Sequence, residues 1–154
     1  MSTAIGQAAP AFTAPSTDGD IALKDLQGRV VVMYFYPRDN TPGCTTQGQN
    51  FRDRYADFQA AGAQVLGVSR DTLASHQKFK EKQGFPFPLI ADPDETLCEQ
   101  YGVMKMKNMY GKQVHGIERS TFLIDAQGKL RQEWRGVKVP GHVDAVLEAV
   151  RQLG

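Results

Sequence analysis

Only two cysteines, Cys44 and Cys98, occur in 154 residues, too few for the disulfide framework of a small secreted protein. A chain of this length buries a core without staples or structural metals, so its thiols point to a reducing compartment and to chemistry or chance. There is no Cys-x-x-Cys pair, which weakens a reading as a thiol–disulfide exchanger. His76, His115 and His142 lie far apart with no ligand spacing among themselves or to the cysteines, so no metal site is expected. No stretch approaches the ~20 apolar residues of a membrane span, and residues 1–10 lack the basic start and long apolar centre of an export signal. A formal charge of +1 with acids and bases interleaved gives no electrostatic reason to bind nucleic acid or a membrane surface. The expectation is a cytoplasmic monomer, one domain over residues 1–154, acting on small uncharged molecules. No internal repeat, linker or low-complexity tract interrupts it.

What is present centres on Pro37-Arg38-Asp39-Asn40-Thr41-Pro42-Gly43-Cys44. Residues 29–36 before it are a nearly unbroken β-branched and aromatic run, the mark of a buried strand. After it, Phe51, Tyr55 and Phe58 fall at i, i+4 and i+7, the apolar stripe of a helix. Two prolines and a glycine force a sharp turn, and the cysteine lands where the helix begins. There, unpaired backbone N–H groups and the positive end of the peptide dipole favour thiolate over thiol. Shifting an ordinary thiol from a pKa near ~8.5 to one near ~6 takes about 3.4 kcal/mol. A helix terminus gives up to ~2 kcal/mol and a charged hydrogen bond about 1.5–3 kcal/mol, so a cationic donor is needed as well.

Along the rest of the chain, residues 1–28 form an arm with a turn at Asp18-Gly19 and a short helical turn near Leu23–Leu26. Gln64–Ser69 reads as a strand, and Thr72 or Asp71 caps a helix that Gly84 ends after Gln83. Pro86–Ile90 is a short edge or crossover strand, because its prolines cannot donate to a ladder. Asp94 opens a brief helix carrying Leu97, Cys98 and Tyr101. Val103–Gly116 lacks apolar alternation and reads as a long Met-rich loop through Met104, Met106 and Met109. Arg119–Asp125 and Lys129–Arg135 form a hairpin about residues 126–128, and residues 141–152 a terminal helix. Strands alternating with helices imply an α/β layer with a mixed sheet flanked by helices.

The segment Tyr34–Thr45 resembles the active site of peroxiredoxins, and in detail the bacterioferritin comigratory protein or peroxiredoxin Q branch. The likeness continues through Asp92-Pro93-Asp94-Glu95, Tyr101-Gly102-Val103 and Arg119–Asp125. It implies a thioredoxin-like fold and a thiol peroxidase for hydrogen peroxide and alkyl hydroperoxides, working without haem, flavin or metal. A thioredoxin- or glutaredoxin-type protein would supply its electrons. Cys44 would attack the peroxide, with Thr41 and Arg119 around it and Pro37 excluding water. Each has a plainer role too: Thr41 as helix cap, Arg119 as solvated strand edge, Pro37 as turn former. Gln47 either bonds the active-site loop or sits on the helix surface, and one of Tyr34 and Tyr36 lines the pocket.

The recycling half departs from the resemblance. Many such proteins carry a resolving cysteine five residues after the first, where this chain has Gln49. Cys98 is the other candidate, equally readable as a buried core residue beside Leu97. A bridge requires Cα atoms roughly 4.4–6.8 Å apart, so Cys98 could serve only if one or both helices open. Thr45, Thr46 and Gly48 are poor helix formers, which favours unwinding around an oxidised Cys44. The competing reading is a redox-sensing interaction protein switched by Cys44 oxidation.

Overall fold

The computed structural model describes residues 3–153. Its N-terminal arm, rich in Gly, Pro, Ser and Thr, pairs only two residues in β1 (Thr13–Ala14) with two in β2 (Ile21–Ala22) before a 3-10 turn at Leu23–Leu26. The apolar run then becomes β3 (Val30–Phe35), the middle of a five-stranded sheet. α1 (Pro42–Ala60) follows the proline-rich turn, and β4 (Ala63–Ser69) returns parallel to β3.

α2 (Leu73–Gln83) starts where the Thr72 hydroxyl accepts from the Ser75 N–H and stops at Gly84, whose φ of 68° is left-handed. β5 (Leu89–Ala91) forms the parallel edge, beginning only after Pro88. α3 (Thr96–Gln100) is capped by Asp92 and not opened by Asp94 as expected. The Asp92 carboxylate reaches past the left-handed Glu95 to accept from the backbone N–H groups of Leu97 and Cys98. After β6 (Met104–Met109) and β7 (Lys112–Ile117), β8 (Ser120–Ile124) and β9 (Leu130–Arg135) complete the sheet antiparallel, giving the order β5-β4-β3-β8-β9. α4 (His142–Leu153) closes the chain.

Alternation along β3 divides the core into two layers. Val32, Tyr34 and Tyr36 pack with Phe51 and Phe58 of α1, Phe79 of α2 and Val143, Val146 and Val150 of α4. Val31, Met33 and Phe35 point the other way, toward Leu97 and Cys98 of α3, Tyr101 just after it, and the arm.

The expected Met-rich loop is instead an antiparallel hairpin, β6 (Met104–Met109) and β7 (Lys112–Ile117). Most of its residues face solvent, so nothing selects an alternating pattern. Its register comes from the two-residue turn Tyr110-Gly111, where both φ angles are positive, 54° and 80°, as a primed hairpin turn requires.

Candidate active site

Two ladders bring the site together. The turn after β3 delivers Thr41 to the N-cap of α1 and Pro42 to its first position, so Cys44 occupies the third. Because β8 lies beside β3, Arg119, one residue before β8, comes to the same end of the sheet. Its Nη2 donates to the Cys44 Sγ at 3.4 Å and its Nη1 to Gln47 Oε1 at 2.6 Å. The cation needed beside the thiol is therefore present, and Gln47 orients it. Gln47 is fully buried, a partner of Arg119 rather than a helix surface residue. Gly43 makes room: a Cβ there would stand 3.2 Å from Arg119 Nη2.

Pro42 has no N–H, and Thr45 is the first residue whose N–H joins the helical ladder, at 2.9 Å from the Thr41 carbonyl. The N–H groups of Gly43 and Cys44 therefore lie ahead of that ladder, free of helical partners. Cys44 is 2% exposed, too deep in this conformation for the thiol of another protein to reach. The Thr41 hydroxyl donates to the Arg38 carbonyl at 2.9 Å rather than capping the helix. Its lone pairs remain able to accept. Pro37 is half-buried at the entry of the turn.

Tyr34 and Tyr36 are two residues apart on one strand and so share a face; both pack in the layer containing Cys44, their rings 5.5 Å apart. The expectation that only one would do so fails on strand periodicity. Burial, the Cys44 sulfur and Asp39 hold the Tyr34 phenol well above its ordinary pKa, while Arg119 opposes them. His142 lies on the same side, its Nε2 2.8 Å from the Thr121 hydroxyl. Burial, then Arg119, lowers its pKa to about 4. Lys107 of the hairpin has its pKa lowered by burial and by Arg119, with the Cys44 sulfur acting the opposite way.

The second cysteine is not part of this assembly. Cys98 is fully buried in the layer on the other face of the sheet, and burial together with Asp92 pushes its thiol far up in pKa. As folded, the candidate resolving thiol is separated from Cys44 by β3 and its neighbours. Sequence spacing carries no record of which face a helix covers. Gly48 also has a role beyond weak helix propensity: a Cβ there would fall 2.4 Å from the Phe85 ring, so its hydrogen lets α1 lie against that ring.

The AhpC/TSA family profile matches residues 5–133. The chain belongs to the AhpC/TSA family. Within that family it resembles the Bcp and Q-type peroxiredoxins. It is 58% identical over 129 residues to peroxiredoxin Bcp of Xanthomonas campestris pv. campestris, covering 84% of this chain and 81% of that one. Identity to peroxiredoxin Bcp of Bacillus subtilis is 45% over 154 residues, covering 99% and 98%. Among solved structures, Xanthomonas campestris bacterioferritin comigratory protein, studied for alkyl peroxide reduction, superposes with a TM-score of 0.88 at 51% identity over 92% of this chain and 91% of that one. A serine variant of Xylella fastidiosa PrxQ gives 0.92 at 42% identity over 98% and 97%. The thioredoxin-like α/β fold of this AhpC/TSA member follows from those likenesses.

Proposed function

We propose that Cys44 reduces hydrogen peroxide and organic hydroperoxides. The Cys44 thiolate attacks the distal peroxide oxygen, the O–O bond breaks, and the departing oxygen takes a proton to leave as water or an alcohol. The sulfur becomes sulfenic acid. Arg119, with its rigid fork of donors, stabilises both the thiolate and the charge moving along the O–O bond. The Gly43 and Cys44 N–H groups and the Thr41 hydroxyl bind the peroxide oxygens, and Pro37 restricts water. The observation that carries this reading is the 3.4 Å contact of Arg119 with a sulfur at the first turn of α1.

The sulfenic acid is then condensed with a thiol, releasing water, and a second thiol frees Cys44 from the mixed disulfide. A thioredoxin- or glutaredoxin-type dithiol supplies both. Because Cys44 is buried, the first turn of α1 unwinds to admit that donor. Two free cysteines suit a reducing cytoplasm. A monomer is consistent with exposed large apolar side chains being few and scattered outside the hairpin among the described residues. Peroxide loss over many turnovers, with catalytic protein and excess dithiol, is the expected result. One stoichiometric oxidation followed by arrest would instead identify a redox-responsive interaction protein.

A further inference from the structure

Outside the thiol pocket, one buried polar cluster grips the active-site turn. The Asp39 Oδ1 accepts from the Tyr36 hydroxyl at 2.7 Å, and its Oδ2 accepts from the Ser75 hydroxyl at 2.8 Å. The same Oδ2 lies 2.8 Å from His76 Nδ1, and the two side chains are 1% and 0% exposed. The Asp39 backbone N–H donates to Asp71 Oδ2 at 2.9 Å. His76 Nε2 stands 2.9 Å from the Ile90 carbonyl, which can only accept, so Nε2 carries a hydrogen. The bond from Nδ1 to a carboxylate oxygen then needs one more proton between the two groups. Asp39, Asp71 and His76 bring their side-chain atoms within 4.8 Å of one another, and the hydrogen bonds among these groups make the cluster a clamp on the turn.

Through that clamp one carboxylate ties the turn to the end of β3, to α2 and, by way of His76, to β5. The next residue, Asn40, has φ of 65°, a left-handed conformation that persists where surroundings over-determine it. Thr41 and α1 follow at once. Where residue 39 is held therefore fixes the direction from which the chain enters α1, and with it the place of the Cys44 sulfur relative to Arg119.

Building on the peroxidase reading, we propose that Tyr36, Asp39 and His76 are positioning residues for peroxide reduction, aligning the Cys44 sulfur with the O–O bond and with Arg119. None touches the sulfur. Two single-turnover reactions of Cys44 test this. Oxidation by hydrogen peroxide needs in-line geometry, whereas alkylation by iodoacetamide needs only a reachable thiolate. Asp39→Ala is expected to slow oxidation by about 10- to 100-fold while alkylation stays within about threefold, the size of effect that a displacement near 1 Å produces. Asp39→Asn should recover most of the loss, because its amide can still accept from Tyr36 and donate to His76 Nδ1. Tyr36→Phe, which removes one hydroxyl and keeps the ring, should slow oxidation selectively by a smaller factor; it decides the matter if Asp39→Ala does not fold. Unchanged oxidation in Tyr36→Phe and in folded Asp39→Ala overturns the proposal. So does a parallel loss of oxidation and alkylation. Wild-type protein that fails to oxidise with peroxide would instead refute the peroxidase reading itself.

Discussion

Arg119 divides one guanidinium between a sulfur and an amide, and that division sets what a substitution does. A lysine could reach Cys44 or Gln47 but offers no planar fork to hold both. Arg119→Lys should lower the rate constant with hydrogen peroxide by about 10²–10³-fold, the usual cost of losing a transition-state donor; stopped-flow measurement under pseudo-first-order conditions checks it. The Cys44 motif was legible because its signals are local: a turn, two prolines and a helix start within eight residues. Arg119, 75 residues away in sequence, carried no such signal, and its place followed from resemblance alone. Asp39 sat in the motif without a visible role, since its partners Ser75 and His76 arrive from another helix.

Helix ends are legible where the cap acts within one turn of chain, as at Thr72 and Gly84, whereas the start of α3 is not, because Asp92 bonds N–H groups five and six residues ahead. The hairpin β6–β7 leaves no mark in the sequence pattern, because apolar alternation reports a buried face and this ladder lies largely in solvent. Its weak point is Tyr110, fully exposed at a φ of 54°. A bulky residue is strained in that region, whereas glycine is not. Tyr110→Gly should stabilise the hairpin by about 0.5–1 kcal/mol. Slower amide exchange across Met104–Ile117, with peroxide turnover unaltered, is the expected pattern.

For the whole molecule, acid should weaken the fold in a defined window. His142 titrates near 4 when folded against an ordinary value of 6.5, so between those limits the unfolded chain binds more protons. The stability that follows is fully present above pH 6.5 and is lost as the pH falls toward 4. Urea midpoints at pH 7 and pH 5 should differ less in His142→Asn than in wild type. The two-layer core yields a second expectation. One equivalent of peroxide should add one oxygen at Cys44 in wild type and in Cys98→Ser alike, whereas an internal disulfide would lose two hydrogens and require both sulfurs. Intact-mass and peptide mass spectrometry separate the outcomes.

The sheet between the two sulfurs therefore acts as an insulator. On the proposed mechanism, with Cys98 in the other core layer, a singly oxidised Cys44 would wait for a donor from outside, and a second peroxide would compete during that wait. Recycling wins when the oxidant is scarce. In a flood of oxidant that sulfur would climb to the sulfinic and sulfonic acids, which ordinary thiols do not reverse, so the separation of the two thiols would set a dose beyond which the catalyst retires itself.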